Sequence, residues 1–317
     1  MDRTTSHQTP ERGVLAIAHS GRKYATQAIN LARSVRFHSP GIPLAVATDL
    51  DESLFKGIYD HVIPWDFSEW NGLVAKLEAF RMSPFARTLY LDVDCLTVAP
   101  LDDVFDYFEG RNFAVFGRNE ASPPWFESMD AIRGVVNSIT YPVFNGGLYY
   151  FTKSVEADRV FQNAKKYFFN YDTLRLRHNH GKPNDEPLFS LAMAEDQLTA
   201  TADSRLDVMF APERPRFAIH IDVLRGECWF PRIGRVVRPV IAHFVGARDS
   251  GYAYRREVLR LGAAGSIHRH LSPWQEARIR VIAAGGFLLH SLLHKSRSAL
   301  TRMRGETRRW HPSFLSH

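Results

Sequence analysis

The sequence predicts an α/β fold in which a mostly parallel central sheet is flanked by helices, with a helical extension at the C-terminus. The chain has 317 residues, 45% of them apolar, which is enough to bury one large core. Its first clear elements are a strand, a helix and a strand, at 14–20, 23–38 and 42–49. Units of this kind wind right-handed into parallel sheets, and their ligands bind beyond the carboxyl ends of the strands.

Hydrophobic periodicity places the later elements. Further strands are predicted at 61–65, 87–100, 112–118, 142–151, 206–212 and 240–246, and further helices at 72–82, 101–108, 155–169 and 183–195. Residues 119–141 are aromatic and proline-containing without a clear period. Such a stretch inside a compact domain is typical of a disordered segment or a functional lid.

Three regions are predicted along the chain. Residues 1–12 are polar and lack the apolar run of a signal peptide, so we interpret them as a flexible lead-in to a cytoplasmic protein. Residues 13–255 are predicted to form the main α/β domain, and 256–317 a basic, amphipathic helical segment. The two cysteines, Cys95 and Cys228, fit a reducing compartment and argue against a disulfide scaffold or a structural zinc site.

The formal net charge is +6, and its placement narrows the choice of partner. Much of the excess lies after residue 276, and the rest of the chain is nearly balanced, so nucleic acid is not expected. The apolar run within 279–310 is too short to span a membrane, which takes about 20 residues. The segment is therefore either an amphipathic helix on an anionic membrane surface or a helix packed on protein.

Asp92 and Asp94 stand at the tip of the apolar strand in "RTLYLDVDCLTVAP". Desolvating two like charges costs several kcal/mol unless a positive charge meets them, so the pair indicates a divalent cation. Aspartates two residues apart point to opposite faces of a regular strand. The chain must therefore turn at Val93 or Asp94 if both are to share one ion. The alternative is a pair of ordinary turn caps.

Two further groups of residues are candidates for ligand binding. Gly146 and Gly147 lie inside a predicted strand, where glycine indicates a bulge or the close approach of backbone or ligand. Asn145 beside them could bind a polyol. Asp185 and Glu186 open a predicted helix, where acids either cap free amides or hold sugar hydroxyls and a reacting anomeric centre.

Three more candidates also have an ordinary structural alternative. His243 ends an apolar strand and is typical of a core residue, yet neutral imidazole is a good third ligand for a manganese-like ion held by carboxylates. Lys76 otherwise belongs to a solvated helix face, and Tyr24 to helix packing.

In this order and at these separations, the β-α-β unit, "KLEAF", "LYLDVDCL", "FNGGLYYF", "NDEP" and "HFVG" resemble the family 8 glycosyltransferases. This group includes glycogenins and bacterial lipopolysaccharide galactosyl- and glucosyltransferases. The resemblance runs from Gly13 to Gly246, and it implies that residues 13–255 are the catalytic domain. It implies a GT-A nucleotide-diphospho-sugar transferase fold, a nucleotide-sugar donor with a UDP-sugar favoured, bound Mn²⁺ or Mg²⁺, and a glycan, lipid-linked or protein acceptor.

The resemblance also implies roles for individual residues. Asp92, Asp94 and His243 match the metal ligands, and Asp185 and Glu186 stand beside the anomeric carbon as the catalytic pair. The implied donor-binding residues are Ala18, His19, Tyr24, Lys76, Asp92, Asn145, Gly146, Gly147 and Gly246. If the chemistry follows the family, it retains the anomeric configuration and Asp185 stabilises an oxocarbenium-like centre.

Two positions depart from the family, and two other functions are weighed against it. Glu186 replaces the usual Gln, and the Lys-Pro-Trp after "HFxG" is missing, so Arg248 is only a guess for the lost diphosphate contact. The first rival is a haloacid-dehalogenase-like phosphatase, whose Asp-x-Asp usually opens the domain and is followed by Thr or Val where this chain has Leu96. The second is a binding protein of GT-A fold without turnover.

Overall fold

The computed structural model describes residues 11–202, 206–212, 219–232, 234–246, 251–265 and 270–286. It divides into two compact units, Met1–Val245 and Gly246–His317. The predicted catalytic domain, 13–255, ends later than the first unit, within the first helix of the second. The first strand begins at Arg12, one residue inside the predicted lead-in.

The strands are β1 (Arg12–Ala18), β2 (Leu44–Thr48), β3 (His61–Pro64), β4 (Arg87–Leu91), β5 (Cys95–Thr97), β6 (Phe113–Ala114), β7 (Gly117–Glu120), β8 (Tyr141–Phe144), β9 (Leu148–Thr152), β10 (Met209–Phe210), β11 (His220–Asp222), β12 (Glu227–Arg232), β13 (Arg235–Val237) and β14 (Ile241–His243). The α-helices are α1 (Arg22–His38), α2 (Ala79–Met82), α3 (Asp102–Tyr107), α4 (Met129–Arg133), α5 (Val155–Phe168), α6 (Asp185–Glu195) and α7 (Tyr252–Ala264). Short 3-10 helices cover Glu52–Leu54, Gly72–Glu78 and Val223–Arg225.

The main sheet has the order β3-β2-β1-β4-β9-β6. β3, β2, β1 and β4 run parallel, and β9 is antiparallel to β4. The mostly parallel sheet flanked by helices is therefore confirmed. A smaller sheet, β10-β14-β5, places β14 antiparallel beside β5, directly after the acidic pair.

Alternating residues of β1 explain why helices cover both faces of the sheet. Leu15 and Ile17 belong to one buried apolar cluster, while Val14, Ala16 and Ala18 belong to another. A parallel strand that is apolar on both sides is stable only when both sides are covered. The sheet consequently exposes its carboxyl-end edge, where polar residues follow the strands.

Several predicted elements break where the site is built. The strand at 87–100 is interrupted by a turn at 92–94, as the shared-ion argument required. The strand predicted at 142–151 divides into β8 and β9 around residues 145–147, and the one at 112–118 divides into β6 and β7. The helix predicted at 72–82 is a 3-10 helix followed by α2.

Residues 119–141 contain regular elements and buried core residues, which contradicts the expectation of a disordered segment, while the lid stays a prediction. They contain the end of β7 and helix α4, and Trp125 and Phe126 are buried in the core cluster. Aromatic side chains spaced without a helical or strand period gave no sequence signal for this packing. The three short strands β11, β12 and β13 were also not predicted.

The second unit contains α7 and a helical stretch over 273–286. Within it the buried Glu257 pairs with Arg260, whose Nε lies 2.9 Å from Glu276 Oε1. Part of the predicted basic segment is thus helical, and residues 287–317 lie outside the described residues. Among the residues that the structure describes, no helix is long and apolar enough to cross a membrane.

Candidate active site

Polar residues follow three neighbouring parallel strands at one edge of the sheet. His19 follows β1, Asp49 follows β2 and Asp92 follows β4. Because the carboxyl ends of parallel strands meet at the same edge, these residues frame the region where ligands of open α/β sheets bind.

The acidic pair lies on a tight turn between β4 and β5. The amide of Asp92 donates to the carbonyl of Gly147 at 3.0 Å, and the amide of Cys95 donates to the carbonyl of Asp92 at 3.0 Å. Tyr90, two residues earlier on β4, donates its hydroxyl to Asp92 Oδ1 at 2.7 Å. The turn thus aims both carboxylates away from the sheet, toward the same side as His243.

His243 lies against both acids. Its Nε2 is 3.0 Å from Asp94 Oδ1 and 3.6 Å from Asp92 Oδ2. Its Nδ1 is 2.7 Å from Asn145 Oδ1. That oxygen also accepts the amide hydrogen of Gly147, so it is an acceptor and His243 Nδ1 carries a proton. Burial lowers the pKa of His243, but Asp94 and Asp92 outweigh this and hold the pKa above its usual value.

This donor set fits a divalent cation. Two carboxylates and an imidazole converge here. Asn145 binds Nδ1 of His243, so Nε2 faces the acids. Metal-binding histidines are held in the same way, by a hydrogen bond to the ring nitrogen that does not bind the metal. The Sγ of Cys95 is also close, since the ligand atoms of Asp94, Cys95 and His243 all lie within 4.8 Å of one another.

Lys76 joins the acidic turn to helix α6. Its ammonium donates to Asp92 Oδ2 at 2.9 Å and to the carbonyl of Gly146 at 2.7 Å, and lies 3.2 Å from Asp185 Oδ2. Two of the three ammonium hydrogens are thus donated, to Asp92 and Gly146, while Asp185 pairs with the charge. Burial lowers the pKa of Lys76, but Asp185 and Asp92 raise it well above its usual range. The predicted contact with a donor would require one of these bonds to open.

The turn at Asn145, Gly146 and Gly147 explains both glycines. A Cβ on Gly146 would lie 2.6 Å from Asp185 Oδ2, and one on Gly147 would lie 2.5 Å from the ring of His243. The amide of Gly146 donates to Glu186 Oε1 at 2.8 Å. The glycines are therefore needed for close approach of site residues to the backbone.

Asp185 lies in the first turn of α6 and is 1% exposed. Tyr149 donates its hydroxyl to Asp185 Oδ2 at 2.5 Å. Burial raises the pKa of Asp185 to about 6, with Lys76 opposing the shift and Glu186 adding to it. The other acid, Glu186, accepts from Gly146 on one oxygen and from Asn184 on the other.

A second group of polar and aromatic residues lies after β1. The His19 ring stacks on Phe67 at 4.5 Å and lies nearly parallel to the exposed ring of Tyr24 at 6.4 Å. His19 Nε2 is 3.4 Å from the carbonyl of Gly72, the first residue of the 3-10 helix that carries Lys76. The amide of Ser20 donates to Asp49 at 3.0 Å.

The structure thus brings together most of the residues singled out from sequence. Around the acidic turn lie Lys76, Asp92, Asp94, Asn145, Gly146, Gly147, Asp185, Glu186 and His243. His19 and Tyr24 form the second group, where the buried Ala18 accepts from Thr48. Gly246 begins the second unit with φ of 65°, and Arg248 lies outside the described residues.

Tyr90, Cys95 and Tyr149 were not singled out as site residues. Tyr90 and Tyr149 each lie two residues from a predicted site residue, Asp92 and Gly147 respectively.

The comparisons identify the class of fold. No protein-family model matches the chain, and no curated protein matches it. Glycosyltransferases are among the solved structures that match, and the mixed α/β architecture with its mostly parallel sheet is of the GT-A type. The bifunctional glycosyltransferase WbbM has a TM-score of 0.51 at 11% identity, over 86% of this chain and 52% of that one.

Two further structures are similar to this chain. An active-site mutant of LgtC has a TM-score of 0.49 at 18% identity, over 86% of this chain and 95% of that one. GlyE of Streptococcus pneumoniae TIGR4 has a TM-score of 0.41 at 15% identity, over 60% of this chain and 46% of that one. The chain spans about half the length of WbbM and of GlyE. At these identities the likeness concerns the fold.

Proposed function

We propose that the protein is a metal-dependent glycosyltransferase that moves a sugar from a nucleoside-diphosphate donor to an acceptor hydroxyl with retention of configuration. The observation that carries this proposal is the junction at Lys76, where Asp92 of the acidic turn and Asp185 of helix α6 meet at one buried cation. The fold shared with WbbM, described as a bifunctional glycosyltransferase, agrees with it.

Asp92, Asp94 and His243 would hold the ion, Mn²⁺ or Mg²⁺. When bound, a divalent cation stabilises the negative charge that develops on a departing diphosphate. Tyr90 and Lys76 fix the Asp92 carboxylate, and Asn145 fixes the imidazole of His243, so the ligands are held before the ion arrives. Such pre-organisation is what electrostatic catalysis requires.

The group around His19 and Tyr24 would receive the base and ribose. The 3-10 helix connects it to the acidic turn, since Gly72 meets His19 and Lys76 meets Asp92. Four residues of 3-10 helix span about 8 Å, a distance that suits a nucleoside at one end and its phosphates at the other. A UDP-sugar is the favoured donor, and Ala18, Gly246 and Arg248 remain proposed donor contacts.

Asp185 would act on the sugar. In its ionised form it stabilises positive charge at the anomeric carbon, while Tyr149 and Lys76 hold its Oδ2 in place. We assign Glu186 the role of positioning the glycine turn, because both its oxygens accept hydrogen bonds from protein. The proton of the acceptor hydroxyl passes to the oxygen of the departing phosphate, so retention needs no separate base.

The acceptor would be a glycan or lipid-linked sugar on the inner face of the plasma membrane, with a protein acceptor as the other possibility. Trp274 and Val281 on the helical stretch 273–286 are 76% and 73% exposed, and Arg278 and Arg280 lie beside them. An apolar ring with flanking arginines suits an anionic lipid surface. Our proposal includes a role in polysaccharide synthesis in the cytoplasm.

The test is a panel of nucleotide-sugars incubated with Mn²⁺, followed by chromatography for released nucleoside diphosphate. We expect one donor to be hydrolysed slowly, and D185N to abolish this. E195Q, which alters an acid at the other end of α6, should keep it. Anomeric proton signals of the released sugar then report retention. Donor binding without turnover would favour the binding-protein alternative, and turnover of phosphomonoesters alone would favour the phosphatase.

A further inference from the structure

Cys95 is a buried thiol that the proposed transferase does not use. It is 0% exposed, and its Sγ lies near Asp94 and His243, with all three ligand atoms within 4.8 Å of one another. This cluster combines a thiol, an imidazole and a carboxylate. Such a set differs in chemical softness from the two carboxylates and imidazole proposed for Mn²⁺ or Mg²⁺.

Strand pairing puts the thiol and the imidazole on one side of the small sheet. Cys95 on β5 is directly opposite His243 on antiparallel β14. Side chains of directly opposed residues in an antiparallel pair project to the same face and are close neighbours. Asp94 precedes Cys95 on the turn, and its carboxylate already lies 3.0 Å from His243 Nε2. The backbone therefore holds all three groups together.

We propose that Asp94, Cys95 and His243 form a second, thiolate-containing metal site that binds Zn²⁺ or a similarly soft divalent ion. Zinc binds Cys, His and carboxylate ligands, and sites with three protein ligands leave a fourth position open for water. On binding, the Cys95 thiol loses its proton to solvent and its sulfur becomes a ligand. The net charge of the site then rises by one.

Asp92 stays outside this second site, because the ligand atoms that cluster within 4.8 Å are those of Asp94, Cys95 and His243, and Asp94 presents its Oδ1 to His243. Asn145 serves both sites, because its bond to His243 Nδ1 leaves Nε2 as the ligand. Since Asp94 and His243 are shared, Zn²⁺ and the Mn²⁺ of the proposed transferase exclude each other. The zinc site stands on its own residues, and only its inhibitory effect rests on the proposed function.

Cobalt(II) absorption spectroscopy tests the site without any enzyme assay. Full-length protein titrated with Co²⁺ should develop a sulfur-to-cobalt charge-transfer band that Zn²⁺ removes. The band should be missing in C95S and present in C228S, which alters the other buried cysteine. Zn²⁺ affinity in C95S should fall by more than the ~10- to 100-fold that loss of an outer partner causes. Circular dichroism of each variant verifies folding, and C95A provides a second replacement.

A wild-type spectrum without the band, or a band that persists in both Cys95 variants, would overturn the inference. A second arm measures how Zn²⁺ inhibits Mn²⁺-supported turnover, each variant relative to its own uninhibited rate. Inhibition should be weaker in C95S than in C228S. If no donor is turned over, the proposed function fails while the cobalt result still decides the metal site.

Discussion

The ammonium of Lys76 lies 3.2 Å from Asp185 Oδ2, in a place where Lys76 is 5% exposed and Asp185 is 1% exposed. The same ammonium donates to Asp92. One buried cation therefore connects an acid at the tip of β4 with an acid at the start of α6. The two halves of the proposed site, for metal and for sugar, share this single positive charge and depend on it together.

Replacing Lys76 should weaken both the fold and the site. In K76M the carboxylates of Asp92 and Asp185 lose their buried partner, which typically destabilises a protein by about 3–5 kcal/mol. Urea unfolding measures the free energy, and calorimetry with Mn²⁺ and a nucleotide-sugar measures donor binding. We expect both to fall.

K165M is the matched control for K76M. Lys165 pairs with the buried Glu78 at 2.6 Å, and Glu78 also pairs with Arg81 at 3.1 Å. K165M should therefore lower stability less than K76M, while folded protein still binds the donor. Equal loss of donor binding per folded molecule in the two variants would contradict a specific role for Lys76.

Gly147 should not tolerate a methyl group. The added Cβ in G147A would lie 2.5 Å from the His243 ring and would displace that ring from Asp94. Loss of a metal-orienting contact typically lowers metal affinity ~10- to 100-fold. Mn²⁺ titration calorimetry measures the change. G41A is the control, because a Cβ there meets nothing within 4 Å, and equal Mn²⁺ affinity in G147A and G41A would refute the packing argument.

The rate of sugar transfer should fall below pH 6. Asp185 acts as a carboxylate, and burial raises its pKa to about 6 from an ordinary 3.8. Because the group is protonated below its pKa, the rate should drop about tenfold per pH unit on the acid side. The measurement is turnover against pH at saturating Mn²⁺, so that His243 is engaged by the ion throughout.

Tyr149 offers a sharper form of this measurement. Its hydroxyl donates to the ionised Asp185 and so lowers the pKa of that acid. Y149F should therefore move the acid limb to higher pH. Y150F, on the opposite face of β9, should leave the limb in place. A limb that does not move in Y149F, or one near pH 4 in the wild type, would show that Asp185 is not the titrating group.

Trp274 should contribute to membrane binding. Burial of its exposed indole in the lipid interface is worth roughly 1.5 kcal/mol, so W274A should bind anionic vesicles about tenfold more weakly. Co-sedimentation of full-length protein measures the partition. W229A removes another exposed tryptophan, in β12 of the first unit, and should have no effect. Unchanged sedimentation of W274A would contradict the membrane assignment of this helical face.

Local patterns were enough to predict the main sheet and the acidic turn. The first β-α-β unit, the strand before Asp92 and helix α6 all have clear hydrophobic periodicity. Their order along the chain predicted which carboxyl ends of strands meet at one edge of the sheet. The need for two acids to share an ion predicted the turn at 92–94. Glycine in a strand likewise pointed to the close contacts at Gly146 and Gly147.

Contacts between distant segments could not be predicted from local sequence patterns. Lys76 has the sequence environment of a helix surface, yet it is buried because Asp92 and Asp185 arrive from other elements. Cys95 and His243 meet only through the pairing of β5 and β14. The partners of Lys76, Cys95 and His243 are set by tertiary packing. Local periodicity in a single sequence does not predict that packing.

The central claim is that the turn at 92–94 binds a nucleotide-sugar through a metal ion. The most direct measurement is titration calorimetry of the wild type and D94N with UDP-sugars and other nucleotide-sugars, in Mn²⁺ and in chelator. D103N, on α3, is the control acid. The account predicts binding of one donor in Mn²⁺, which is lost in chelator and in D94N and kept in D103N. Absence of donor binding in Mn²⁺, or equal binding in chelator, would contradict it.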